Sequence, residues 1–196
     1  VFIMYKVVKK ATELIQDILK DVINEDDIVV DATLGNGKDT IFLSQLVPYG
    51  KVYAFDIQER AIKKFIEDTD MNIIKNVVLI NSGHEHIEEF VREKPKAIIF
   101  NLGYLPGGDK DITTKADTTI VAVKKGLEML LPGGLMILIV YVGHENGKEE
   151  AVQLRELVKE LNRKVFSAME INYSSKDNNA PFIIIIEKND NYRGHI

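Results

Sequence analysis

The chain has 196 residues, 45% hydrophobic, 28% charged and 8% aromatic, with a formal charge of −5. That is the profile of a single soluble globular domain over 1–196, because a chain of this size buries about 70% of its unfolded surface and holds a core without staples. The absence of cysteine excludes disulfides, thiolate-bound metals, iron–sulfur clusters and a thiol nucleophile, and it agrees with a cytoplasmic location.

No run approaches the roughly 18 apolar residues of a membrane helix, and the opening VFIMYKVVKK places its lysines after the apolar stretch, the reverse of a secretory signal. Neither a membrane span nor a targeting segment is expected. The negative charge argues against a broad nucleic-acid-coating surface, so a polyanionic partner has to be gripped locally. Lys6, Lys9 and Lys10, or Lys124 and Lys125, read individually as solvated faces.

In chain order, Ala11, Leu14, Ile15, Ile18, Leu19 and Val22 form the i, i+3, i+4, i+7 stripe of an amphipathic helix. A first strand follows at 28–31, and short apolar runs recur at 52–55, 77–80, 97–100 and 135–141, predicted as strands buried on both faces. Helices are predicted between them near 40–46, 59–68, 84–92 and 115–131, the last stopped by Pro132-Gly133-Gly134. The alternation predicts a parallel, doubly wound sheet. After a helix near 149–161, runs at 165–171 and 182–187 flank a polar connection at 173–180, which predicts an antiparallel hairpin. The expected fold class is therefore α/β: a Rossmann-like class I methyltransferase sheet, seven-stranded and mostly parallel, ending in an antiparallel hairpin, with helices on both faces.

The first strand runs directly into Asp31-Ala32-Thr33-Leu34-Gly35-Asn36-Gly37-Lys38-Asp39-Thr40. Glycine lets a backbone turn tightly and approach a ligand closely, which makes Thr33, Gly35, Asn36, Gly37, Asp39 and Thr40 candidate cofactor contacts. Asp56 ends the second strand 25 positions after Asp31, where a carboxylate accepts the hydroxyls of a ribose, with Gln58 just beyond it. The third glycine of a dinucleotide loop is missing, since Thr40 stands in its place. Asp31 would repel a pyrophosphate, whereas S-adenosylmethionine carries a sulfonium and an ammonium that a carboxylate favours. S-adenosylmethionine is thus preferred over NAD. The alternative is that the glycines only make a tight strand-to-helix turn.

Ser82-Gly83-His84-Glu85 at the third strand end reads as a capping box, with Ser82 as the N-cap and Glu85 three residues on. Ser82 and His84 also lie where an adenine would sit. His84 and His86 are two positions apart, which points them to different sides of a helix, so no metal site is expected. The fourth strand leads into Asn101-Leu102-Gly103-Tyr104-Leu105-Pro106-Gly107-Gly108-Asp109-Lys110, and the fifth into Tyr141-Val142-Gly143-His144. Asn101 and Tyr104 are candidate positioners of a nucleophile, Asn101 also a cofactor contact, and His144 a candidate base or substrate clamp.

Together these blocks closely resemble the bacterial methyltransferase family labelled rRNA methylase, which includes tRNA 5-(aminomethyl)-2-thiouridine methyltransferases. The resemblance runs from about Thr12 to Lys188; the NLGYLPGGDK block is its most specific part, and Ala180 stands where the family pattern has the first of two prolines. It implies S-adenosylmethionine as donor, tRNA at the anticodon stem-loop as substrate, and N-methylation of the 5-aminomethyl group of the wobble uridine. A homodimer is compatible with it. The missing cysteine agrees with an amine acceptor, since carbon-5 methylation of a pyrimidine commonly needs a thiolate, while a neutral amine needs only alignment and removal of a proton. Asp109 and His144 are the candidate proton acceptors. An rRNA methyltransferase, a small-molecule methyltransferase and a module that senses S-adenosylmethionine without chemistry remain open. The 173–180 connection is expected at the ligand edge, with Tyr173 stacking on a nucleobase.

Overall fold

A computed structural model describes residues 6–70, 72, 74–103, 113–174 and 180–191. Helix α1 (Ala11–Val22) leads into β1 (Ile28–Asp31), α2 (Lys38–Leu46), β2 (Lys51–Phe55), α3 (Glu59–Asp68) and β3 (Val77–Ile80). A 3-10 turn at His84–His86 and the single-turn α4 (Ile87–Phe90) connect to β4 (Ala97–Leu102), followed by α5 (Ala116–Met129), β5 (Leu135–Val140), α6 (Glu145–Glu160), β6 (Phe166–Ile171) and β7 (Phe182–Lys188).

The seven strands form one sheet in the order β3-β2-β1-β4-β5-β7-β6. β1 to β5 pair in parallel, and β7 enters antiparallel between β5 and β6. β6 therefore runs with the first five strands, and its outgoing chain leaves at the same carboxyl edge as theirs. The expected seven-stranded sheet and terminal hairpin are both present.

Alternation along the strands divides the core. Val29, Val52, Ile99, Ile137, Ile139, Ile183 and Ile185 pack with Ile15 and Leu19 of α1 and Leu43 of α2. Val30, Ile98, Phe100, Met136 and Leu138 pack on the other face with α5 and α6, through Ala122, Val123, Leu127, Ala151 and Leu154. α3 joins the first face through Phe65, which packs on Leu34 and Ala54. Every residue of β5 is buried, as a central strand covered on both faces requires.

Four expectations need correction. β3 is an edge strand and only Ile80 is buried; Val78 is 39% exposed, so an apolar run did not here mean two covered faces. The helix predicted over 84–92 is a 3-10 turn plus one α turn. α6 starts at Glu145, four residues before the expected 149, because glycine at 147 tolerates the first turn: a Cβ there would lie 2.0 Å from the Tyr141 carbonyl. α5 ends at Met129, two residues before the expected 131, and the buried Lys188 Nζ donates to the carbonyls of Glu128 (3.2 Å) and Leu130 (2.8 Å), satisfying groups left open at its C-terminus.

Candidate active site

The ends of β1, β2 and β4 meet at the middle of the carboxyl edge, the topological switch point where ligands bind in open α/β sheets. The chain turns there through Gly35 (φ 51°) and Gly37 (φ 72°), both left-handed, so that α2 starts directly beyond the strand. Gly37 is demanded by packing as well. A Cβ would sit 2.1 Å from the Phe65 ring, so its small size serves the α3 contact and not only the approach of a ligand.

Asp56 is the carboxylate that faces this loop. Its Oδ2 accepts the Gly35 N–H at 3.0 Å and its Oδ1 the Gln58 N–H at 2.8 Å. Burial raises its pKa, and those two N–H donors pull it back. Each oxygen still has a lone pair to offer, which suits the two adjacent hydroxyls of a ribose. The Gln58 side chain accepts from Arg60 Nε at 3.0 Å. Asn36 is exposed on the rim of the loop.

Asp31 has a different part from the one expected. It is fully buried, its Oδ2 accepting from Thr40 Oγ1 at 2.6 Å and its Oδ1 from the Thr33 N–H at 3.1 Å. Burial pushes its pKa up to about 7; the Thr40 bond opposes that rise, while the Asp39 charge adds to it. It fastens the loop to α2 from below and presents no carboxylate oxygen to a ligand. Thr33 Oγ1, in turn, accepts the Asn101 N–H at 2.7 Å, joining the ends of β1 and β4.

On the β4 and β5 side, Asn101 Nδ2 donates to Asp39 Oδ2 at 2.6 Å, and Gln16 Nε2 of α1 reaches Asp39 Oδ1 at 3.4 Å. The Asn101 amide is thereby oriented, leaving Oδ1 to accept from an incoming donor. Gly103 lies against Tyr141, a Cβ there being 3.5 Å from that of the tyrosine, and the Tyr141 hydroxyl is raised by burial and by the Asp39 charge. Gln16 and Tyr141 were not among the candidates: Gln16 sits on the polar flank of an ordinary amphipathic helix, although Tyr141 opens the Tyr141-Val142-Gly143-His144 segment after the fifth strand. Tyr104 and Asp109 lie outside the described residues.

Four further candidates change role. Ser82 makes no cap; the 3-10 turn starts after Gly83, which has no side chain to offer, and Glu85 curls back so far that a Cβ on Gly83 would lie 2.2 Å from its Oε2. His84 is a buried core residue, its ring edge-on to Phe100 and its Nδ1 3.3 Å from the Ala32 carbonyl, and burial lowers its pKa. His144 is the N-cap of α6, with Nδ1 accepting the Gly147 N–H at 3.0 Å. A neutral ring so engaged carries its proton on Nε2 and has no lone pair left for a base. Tyr173 donates its hydroxyl to the Lys9 carbonyl at 2.8 Å and packs at the edge of the α1 core, which replaces the expected stacking position; residues 175–179 lie outside the described set. No cluster of three metal-binding side chains occurs among the described residues, and no described helix is long and apolar enough to cross a membrane.

The strand order, the single reversed strand next to the edge and a carboxylate closing β2 beside a glycine loop define a class I methyltransferase fold. Residues 52–187 match the family described as "Putative rRNA methylase", and the chain belongs to that family. A protein of Arabidopsis thaliana named tRNA (mnm(5)s(2)U34)-methyltransferase, chloroplastic, is 42% identical over 154 residues, 72% of this chain and 56% of that protein. The chain therefore spans just over half the length of that relative. A solved "putative rRNA-methylase" from Clostridium thermocellum is 39% identical with a TM-score of 0.89, and a "putative methyltransferase" from Streptococcus mutans, in complex with SAH, is 43% identical with a TM-score of 0.85. Each comparison covers 93% of this chain and 99% of the other.

Proposed function

We propose that the protein is an S-adenosylmethionine-dependent methyltransferase that acts on tRNA, methylating the 5-aminomethyl nitrogen of a (2-thio)uridine at the wobble position. The observation that carries the reading is Asp56, a half-buried carboxylate with one lone pair per oxygen still open at the switch point. The SAH complex of the 43% identical relative supports the donor, and the name of the 42% identical relative supports the acceptor.

S-adenosylmethionine supplies, when bound, a methyl group made electrophilic by its sulfonium. Asp56 would hold the ribose hydroxyls, beside the left-handed backbone at Gly35. Asn101 Oδ1 accepts one hydrogen of the acceptor amine and so aims the nitrogen lone pair, its own amide being held by Asp39. Asp39 is the carboxylate of the described site nearest to that amide and stabilises positive charge as the amine is alkylated. With His144 spent on a helix cap, proton removal falls to solvent or to residues 104–112, Asp109 among them.

Nucleoside mass spectrometry of tRNA rich in 5-aminomethyl-2-thiouridine, after incubation with methyl-labelled cofactor, tests donor, acceptor and product together. One labelled methyl on the aminomethyl nitrogen is expected. Label confined to rRNA in a parallel incubation would favour the reading carried by the family description, and no transfer to either RNA would overturn RNA methylation.

A further inference from the structure

Beneath the two strand ends runs a chain of buried polar groups that the proposed chemistry does not use. His84 Nδ1 lies 3.3 Å from the Ala32 carbonyl and Nε2 3.4 Å from Thr119 Oγ1. Thr119 Oγ1 lies 2.5 Å from Glu150 Oε1, while Glu150 Oε2 accepts from Thr114 Oγ1 at 2.9 Å. Glu150 and Thr119 are 0% exposed and His84 8%. The chain has functional ends: Ala32 belongs to the glycine loop, and the Thr114 N–H donates to the Gly103 carbonyl at 3.0 Å, just beyond Asn101. Glu150 had a sequence signal, because it falls on the apolar stripe of α6 with Gly147, Ala151, Leu154 and Leu157, where a carboxylate is out of place.

Two arrangements pair every polar group; a third, with Glu150 ionised and His84 neutral, has Thr119 donate to the carboxylate and leaves a lone buried charge and a His84 Nε2 without a donor. A carbonyl only accepts, so Nδ1 facing Ala32 must carry hydrogen. In the first arrangement Glu150 is a neutral acid that donates to Thr119, whose hydroxyl donates to a neutral His84 Nε2. In the second the same proton has moved: Thr119 donates to a carboxylate and accepts from an imidazolium. The second buries two opposite charges about one hydroxyl apart, the first buries none, and desolvation of both ions favours the first. Burial lowers the His84 pKa and raises that of Glu150, in the same direction.

The charges nearby do not reverse this. Glu85, on the same turn as His84, is the charge that bears on the ring and it raises the pKa less than burial lowers it. Lys125 of α5 is engaged with Glu88 at 2.8 Å and with the Glu85 carbonyl at 2.9 Å. From β4 the ring meets Phe100, and Glu150 meets the hydroxyls of Thr114 and Thr119.

We propose that Glu150, Thr119 and His84 share one proton as a buried positioning unit, with Glu150 the uncharged acid and His84 the Nδ1–H tautomer, and that this unit clamps Ala32 of the glycine loop to Gly103 and Thr114 beside Asn101. Its functional meaning rests on reading those strand ends as donor and acceptor sides of a methyltransferase. Its protonation does not, so the two can fail separately.

Glutamine mimics the neutral acid, donating from its nitrogen to Thr119 and accepting from Thr114 at its oxygen, and it cannot mimic the carboxylate. The first readout is 15N NMR of the histidine rings in the unliganded chain, with His84 assigned among the four histidines from a His84→Gln variant. A neutral Nδ1–H ring is expected in both wild type and Glu150→Gln, unchanged from about pH 5.5 to 8, across the range where an unperturbed histidine titrates. An imidazolium in wild type that turns neutral in Glu150→Gln, or a Glu150 side-chain 13C shift of an ionised carboxylate over the same pH range, would overturn the proposal. The second readout is the KM for the acceptor RNA, which Glu150→Ala should raise by about tenfold, as loss of a buried hydrogen-bonded anchor predicts, with Glu150→Gln restoring most of that loss. Equal damage by Gln and Ala, with both variants folded, would also overturn it.

Discussion

The two halves of the carboxyl edge differ in how their residues are brought together. The half proposed to hold the donor is written largely in residues 31–40 and closed by Asp56, with most of its bonds to backbone N–H groups. The half proposed to face the acceptor is gathered by side-chain bonds between residues 23 to 62 positions apart, Thr119 and Thr114 with Glu150, and Gln16 and Asn101 with Asp39 of the glycine loop, which joins the two halves. A contiguous loop can be recognised because strand, glycine turn and helix must follow in order. Asn101 heads a contiguous block and shares that advantage, but Gln16, Thr114, Thr119 and Glu150 leave no such pattern, since each sits alone in its own element.

The sharpest way to break the comparison is at Gly37. Gly37→Val combines a left-handed φ with a Cβ 2.1 Å from the Phe65 ring, so a destabilisation of at least about 3 kcal/mol is expected, lowering the thermal midpoint. A variant of wild-type stability that merely loses cofactor would show that the glycine serves ligand approach alone.

Asp31 offers the next largest effect, through pH. Its carboxyl is held at about 7 in the fold against a model-compound value of 3.8, so between those values the folded chain binds the extra proton. The stability this provides is complete below the lower value and lost as pH rises through the higher one, by roughly 4 kcal/mol at most. Denaturant midpoints should therefore fall from acid to neutral pH more steeply in wild type than in Asp31→Asn. Parallel slopes would mean that Asp31 stays ionised within the fold.

Tyr173→Phe should do least. Loss of its 2.8 Å bond to the Lys9 carbonyl is expected to cost about 1 kcal/mol of stability and to leave the acceptor KM unchanged. A raised KM at unchanged stability would restore a substrate contact to this ring.

The strands were legible because the central ones are covered on both faces and so carry unbroken apolar runs. β3 carried the same run without the cover, since Val78 at a sheet edge looks in sequence like Ile98 at its centre. The glycine loop, Asp56 and Asn101 were legible for the same local reason as the strands around them. Asp31 was read as facing a ligand because sequence shows that a carboxylate ends a strand and not which way it turns. His144 was judged by residue type and Ser82 by its Ser-x-x-Glu spacing, and only geometry shows that the first caps a helix and the second does not. Glu150 was passed over because a helical pass follows apolar positions and does not ask why one of them is charged.

Calorimetric titration of SAH into wild type, Asp56→Ala and Asn101→Ala tests the division of the edge most directly. Asp56→Ala should weaken binding by about 100-fold, the loss of two charge-assisted hydrogen bonds, while Asn101→Ala should bind within about threefold of wild type and lose methyl transfer by about tenfold or more, as a residue acting only on the acceptor does. Equal losses of SAH affinity in the two variants, with both folded, would contradict a separate donor half.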